Sequence, residues 1–239
     1  MSRGKASETA RGAAAAALAV AALLLVSPAR AGYWIAYEGD DFPENVGWQR
    51  IYGNAQGPGQ GGTPRWIESG QLVYDSYQAY FSYDFARLDR QIDPAPGEMF
   101  VAEWRVYVES SEQFGDNGIT FARDGQGTLG IQHRFDSIRS SREEWVLPVT
   151  PGLPHDFRIE SGDMMNYALF IDGVYARSGV WDLISVNQSF VAFGDGRQSV
   201  ASVSRTSWDF VRFGAIPEPV GIGMLLFALA SRASVVARR

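Results

Sequence analysis

The clearest pattern in the chain is an alternation of apolar and polar side chains over residues 100–109. The apolar set comprises Phe100, Ala102, Trp104, Val106 and Val108. The polar set comprises Glu103, Arg105, Tyr107 and Glu109. A period of two is typical of a half-buried antiparallel strand. We therefore predict a strand with its apolar face in a core and its polar face open to solvent.

Short apolar runs separated by turn residues continue along residues 32–215. Alternation returns at residues 155–160, and the strongest hairpin signal is Asp172-Gly173 between two apolar runs. Asp-Gly suits a two-residue turn because both central positions take positive φ. This region has no long stretch with the 3.6-residue period of a helix, so it predicts one all-β domain, either a sandwich or a barrel.

Four segments within this region carry a resemblance to a known fold. They are residues 155–160 (HDFRIE), 168–174 (ALFIDGV), 193–196 (FGDG) and 208–213 (WDFVRF). Together they resemble the second half of a concanavalin A-like (laminin G-like) jelly roll, and the likeness spans about residues 95–213. The fold that this resemblance implies is a concanavalin A-like antiparallel β-sandwich. Because these motifs are mostly structural, they predict the fold rather than an activity.

The start of the chain has the pattern of a secretory signal peptide. Basic residues precede an Ala/Leu/Val-rich run over 12–26, and Ala29-Arg30-Ala31 offers a small-x-small cleavage site. We predict a signal peptide over residues 1–31 that is cut after Ala31. The alternative is an uncleaved N-terminal anchor.

The end of the chain combines Pro217-Glu218-Pro219, an apolar run over 220–230, and terminal arginines. Each proline fixes its own φ and favours extended geometry before it, so the triplet is stiff. As a helix, residues 220–230 would span about 16 Å, well short of a hydrocarbon core of about 30 Å. The arginines favour a cytoplasmic C-terminus.

This tail resembles the PEP-CTERM sorting signal of Gram-negative bacteria. The resemblance implies recognition of Pro217, Glu218 and Pro219 by an exosortase, transient residence in the inner membrane through a short transmembrane helix, and export to the cell surface or an exopolysaccharide matrix. Arg232, followed by more small and apolar residues, departs from the family pattern. The alternative is a plain C-terminal anchor. The predicted domains are thus 1–31, 32–215 and 216–239.

The charge balance of residues 32–215 excludes several classes of partner. There, 25 acidic residues stand against 14 arginines, a formal charge of −11. Such a surface repels nucleic acid and anionic lipid. The chain has no cysteine, which excludes disulfides, thiol catalysis and cysteine-based metal sites.

The sequence has no recognisable catalytic motif, which predicts that the protein is not an enzyme. Glycoside hydrolases of the resembled fold carry Glu-x-Asp-x-x-Glu on one strand, and the one candidate strand starts at Glu103 but has Arg105 and Val108 at the other positions. Glu103 and Glu109 share a face but lie about 20 Å apart. His133 and His155 lack the spacing of a triad or a zinc site.

Binding sites are predicted only as weak candidates. No cofactor is expected, although loop oxygens could hold calcium at Asp116, Asn117, Asp124 and Asp195. Tyr107 lies on the polar face of its strand and could stack on a sugar. The expectation is an exported surface or matrix protein that binds glycan. The alternatives are a polysaccharide-active hydrolase or lyase on the same fold, and a purely structural matrix protein.

Overall fold

The computed structural model describes residues 32–52, 65–75, 82–88, 93–111, 117–125, 127–140, 145–182, 188–195 and 204–217. Several predictions lie outside these residues: the signal peptide with Ala29 and Ala31, the calcium candidate Asp116, and the tail from Glu218 and Pro219 onward. Among the described residues, no helix has the length and apolar character needed to cross a membrane.

The described residues form fifteen strands and one short 3-10 turn, Pro43–Val46. In chain order the strands are β1 (Gly32–Tyr37), β2 (Gln49–Tyr52), β3 (Arg65–Glu68), β4 (Gln71–Asp75), β5 (Ser82–Leu88), β6 (Glu98–Ser111), β7 (Asn117–Arg123), β8 (Gly127–His133), β9 (Ser137–Ser140), β10 (Val146–Pro148), β11 (His155–Ser161), β12 (Asn166–Ile171), β13 (Val174–Val180), β14 (Ser189–Asp195) and β15 (Ser204–Pro217).

These strands make two antiparallel sheets. Sheet A has the order β13-β12-β11-β6-β15-β4-β3, with β1 also paired to β15, and sheet B has the order β10-β9-β8-β7-β14-β5-β2. Strands that are neighbours in a sheet are often distant in the sequence. For example, β6 lies between β11 and β15. The predicted all-β, two-sheet sandwich is confirmed.

The core between the sheets is aromatic. Trp104 of β6 is fully buried, stacks on Phe157 of β11 at 5.5 Å between ring centroids, and lies 5.8 Å from the ring of Phe121 in sheet B. On β15, Trp208 is equally buried and lies 4.9 Å from Phe193 of sheet B. Large rings from both sheets therefore interlock, which supplies the burial that a domain without disulfides needs.

A β-bulge interrupts the long pairing between β15 and β6. The register shifts between Trp208 and Phe210, so that Asp209 has no partner in the ladder. The turn after β1 presses against this bulge: a Cβ on Gly39 would overlap the carbonyl oxygen of Asp209 and lie 2.7 Å from that of Gly70. Gly39 also has φ +61°, so a glycine is required there on two grounds.

The last strand continues beyond residue 215, where the predicted domain ends. Ile216 pairs with Met99, and Pro217 pairs with Glu98 at the start of β6. Pro217, the first residue of the Pro-Glu-Pro triplet, is thus part of sheet A, and it is exposed.

Candidate functional site

The outer face of sheet A gathers charged and aromatic side chains from its three central strands. Glu103 of β6 lies opposite Arg158 of β11 on one side and Arg212 of β15 on the other. Arg105 lies in the same way between Asp156 and Phe210. We call this surface the polar face. Its members are Glu103, Arg105, Tyr107, Asp156, Arg158, Glu160, Asp209, Phe210 and Arg212.

Alternation on β6 is what aims these side chains outward. Trp104 and Val106 are buried, while Glu103, Arg105 and Tyr107 between and beside them are half-exposed. Tyr107, the predicted sugar-stacking residue, therefore lies on the polar face, opposite Ser207 of β15.

Arg105 joins two carboxylates at the centre of the polar face. Its Nε and Nη2 donate to the two carboxylate oxygens of Asp156 at 2.5 and 2.8 Å, and its Nη1 donates to Asp209 at 3.2 Å. The hydrogen bonds to Asp156 raise the pKa of Arg105 above its usual value despite partial desolvation. Asp209 is the bulge residue, and the bulge places Phe210 on the same outer face beside it.

Arg158 joins a second pair of carboxylates. Its Nη1 donates to Glu103 Oε1 at 2.8 Å, and its Nε donates to Glu160 Oε1 at 2.7 Å. Glu103 and Glu160 are diagonal neighbours on adjacent strands, which places their backbones roughly 7–8 Å apart. Their side chains are 22% and 23% exposed, so solvent and a ligand can reach both.

Aromatic rings accompany these charges. The guanidinium of Arg212 lies 4.2 Å from the ring centroid of Phe210, and that of Arg105 lies 5.7 Å from it. Arg212 is also ion-paired to Glu38 at 3.0 Å. The surface thus alternates flat apolar groups with fixed hydrogen-bonding groups, a combination that suits the two faces of a sugar ring.

The other predicted site residues do not join the polar face. Asn117 and Asp195 are register partners on β7 and β14 in sheet B, whereas Asp124 follows the opposite end of β7, about 24 Å away at 3.4 Å per residue. Asn117 is fully buried, so its amide faces the core rather than a loop. Among the described residues, no three His, Cys, Asp or Glu side chains lie close enough to hold a metal ion.

The two histidines also lie away from the polar face. His133 is buried in the core, and its Nε2 accepts a hydrogen bond from Trp104 Nε1 at 3.0 Å. Burial lowers the pKa of His133 to about 3. His155 lies between Asp172 Oδ2, at 2.7 Å from its Nδ1, and the carbonyl of Thr150, at 2.9 Å from its Nε2. Both histidine rings are therefore held by hydrogen bonds to protein groups outside the polar face.

The sequence reading missed most of the polar face. Nothing in the sequence pointed to a pair of acids on different strands, whereas in the structure Arg158 contacts both Glu103 on β6 and Glu160 on β11. The alternation over 155–160 did place Asp156, Arg158 and Glu160 on one face. That alternation could have indicated a charged face on this strand, but not which strands lie next to it in the sheet.

Comparison with solved structures finds the same fold in other proteins. A carbohydrate esterase from the Shiga toxin-encoding bacteriophage phi24B matches with a TM-score of 0.57 at 8% identity, over 79% of this chain and 100% of that one. A Bacillus licheniformis β-glucanase matches with a TM-score of 0.50 at 9% identity, over 77% of this chain and 99% of that one. No protein-family model and no curated protein matches this chain.

These matches correct the prediction that the protein has no enzymatic activity. Both solved structures are named as carbohydrate-active enzymes, so the fold gives no ground for excluding catalysis. The prediction rested on a missing motif along β6, and the polar face brings carboxylates together across strands instead. Identities this low establish the fold alone: the described domain is a concanavalin A-like jelly roll.

Proposed function

We propose that this protein binds and processes a polysaccharide on the polar face of sheet A. The observation that carries the proposal is the placement of Glu103 and Glu160 on either side of Arg158, on a solvent-accessible sheet face. The fold supports the same class of function, since it is shared with a carbohydrate esterase and a β-glucanase.

Two carboxylates on one surface are the groups that glycosidic-bond cleavage requires. One acts as the general acid, and the other as nucleophile or general base. Arg158 orients both carboxylates here, because it donates to each of them. Tyr107 and Phe210 offer apolar surface for a sugar ring further along the face. Each arginine of the polar face is ion-paired with a carboxylate, so the face favours neutral sugars over uronates.

Substitution of one carboxylate tests this proposal. The full chain is incubated with β-glucans, alginate and other polysaccharides, and the release of reducing ends is measured. We expect Glu103→Gln to reduce the rate by at least about 100-fold, because acid–base groups contribute factors of about 10²–10⁴. The midpoint temperature of thermal unfolding should change little in this variant, because Glu103 lies on the accessible face.

Glu109→Gln is the matched control. Glu109 lies on the same face of β6 and pairs with Arg205 at 3.0 Å, but it lies away from Arg158. This variant should retain the wild-type rate. No release from any polysaccharide by the wild-type chain, or an equal loss in both variants, would contradict the proposal.

We also propose that the protein is exported and then sorted by its tail. The support is the order of features in the sequence: a signal-peptide pattern over 1–31, an acidic domain without cysteine, and Pro217-Glu218-Pro219 before a short apolar run. Mass spectrometry of the exported protein should find Gly32 at the N-terminus and a C-terminus that lacks Arg239. Exported protein that retains Met1 or Arg239 would contradict the corresponding cleavage.

A further inference from the structure

The ring of His133 is enclosed by the core. His133 is the last residue of β8, and its side chain is directed between the sheets with those of Leu129 and Ile131. It is 1% exposed, and its ring centroid lies 5.1 Å from that of Phe157 and 5.5 Å from that of Trp208, both in sheet A.

Hydrogen bonding determines which ring nitrogen of His133 carries the proton. An indole N–H can only donate, and Trp104 Nε1 lies 3.0 Å from His133 Nε2. Nε2 must therefore present its lone pair, which places the proton of the neutral ring on Nδ1. Burial keeps the ring neutral, because it lowers the pKa of His133 to about 3.

The proton on Nδ1 has no acceptor within the part of the chain that the structure describes. A buried N–H group without a partner loses the hydrogen bonds that it makes to water in the unfolded chain, and native proteins rarely tolerate that loss. A hydrogen-bond acceptor that is not a protein atom would remove this cost.

A small cavity adjoins the same ring. Its volume is about 10 Å³, close to the space that one water molecule needs. On the core side its walls are Val106, Val108, Ile138 and Phe157, with His133, Arg134 and His155 beside them, and the exposed side chains of Phe135 and Leu153 line its outer side. The Nε–H of Arg134 is likewise buried and has no partner among the described residues. The cavity therefore combines the size of a water molecule with two donors that need an acceptor.

We infer that this cavity binds one water molecule, which accepts a hydrogen bond from Nδ1–H of His133. The Nε–H of Arg134 is the available second donor, and a water oxygen can accept from both. The site lies at the rim of the core, away from the polar face, so it does not depend on the proposed function.

The two histidines of the chain make this inference testable by NMR. In the full chain labelled with ¹⁵N-histidine, we expect one ring with a proton on Nδ1 and none on Nε2 at neutral pH. That Nδ1 proton should show a cross-peak to water in a ROESY spectrum. His133→Gln removes this ring, so the signal that it abolishes is assigned to His133, whereas His155 is left unchanged because it also lines the cavity.

Filling the cavity provides the decisive comparison. Val106→Ile adds one methyl group to the cavity wall and should abolish the cross-peak to water. Val211→Ile adds the same group to another buried position that does not line the cavity, and it should retain the cross-peak. Should Val106→Ile fail to fold, Val108→Ile alters the same wall.

Three results would overturn the inference. The first is a His133 ring that is protonated on Nε2. The second is an Nδ1 proton that shows no cross-peak to water or exchanges too fast to be observed. The third is a cross-peak that persists in the cavity-filled variant.

Discussion

Acidification from pH 6.5 to pH 4 should lower the free energy of unfolding by about 3 kcal/mol through His133 alone. Burial lowers the pKa of this ring to about 3 in the folded protein, whereas an unfolded histidine has a pKa of about 6.5. Between these values the unfolded chain binds a proton at this residue and the folded chain does not. The stabilisation is therefore complete above pH 6.5 and is lost as the pH falls towards 3. Urea unfolding at several pH values measures it.

Two variants distinguish the contribution of His133 to the pH dependence of stability from that of the carboxylates, which also titrate in acid. His133→Gln removes the titrating ring but retains a side-chain oxygen that can accept from Trp104. Between pH 6.5 and pH 4, the free energy of unfolding of this variant should therefore fall by about 3 kcal/mol less than that of the wild-type protein. Trp104→Phe removes the same hydrogen bond but leaves the His133 ring buried, and because burial is the cause of its lowered pKa, most of the wild-type pH dependence should remain. Equal slopes in His133→Gln and wild-type protein would contradict the prediction.

Trp104→Ala should cost about 3–5 kcal/mol of stability, which is the usual range for the truncation of a large buried aromatic residue. Trp104 is fully buried, stacks on Phe157, and donates to His133. The variant leaves a cavity between the sheets and a buried ring nitrogen without its donor. Urea denaturation with the linear extrapolation measures this difference.

Tyr107→Ala is the matched control for Trp104→Ala. Tyr107 is an aromatic residue of the same strand, but it is half-exposed and lies on the opposite face. Its truncation should cost about 1 kcal/mol or less. Similar losses in the two variants would show that β6 does not have the inward and outward faces described above.

Local patterns in the sequence were sufficient to predict an all-β domain and the buried face of β6. The alternation over 100–109 depends only on adjacent residues, and β6 buries the predicted apolar set. The inward direction of His133 could also have been found, because it continues the alternation of Leu129 and Ile131. Such periodicity predicts which face a side chain occupies without any knowledge of the neighbouring strands.

The ion pairs of the polar face could not be predicted in this way, because they depend on which strands become neighbours. Arg158 and Glu103 are 55 residues apart in the chain, and Arg105 and Asp209 are 104 residues apart. The bulge adds a second difficulty. Strict alternation would place Trp208 and Phe210 on one face, whereas the extra residue places Trp208 in the core and Phe210 outside.

The pairing of Pro217 with Glu98 leaves no spacer between the folded sheet and the proposed sorting triplet. A membrane enzyme that binds Pro-Glu-Pro must therefore come close to the start of β6. Otherwise the last two residue pairs between β15 and β6 must separate first. Proline weakens the end of the ladder, because it has no N–H to donate to β6. If the tail is processed as proposed, the stability of this strand end would determine how readily the enzyme reaches the triplet.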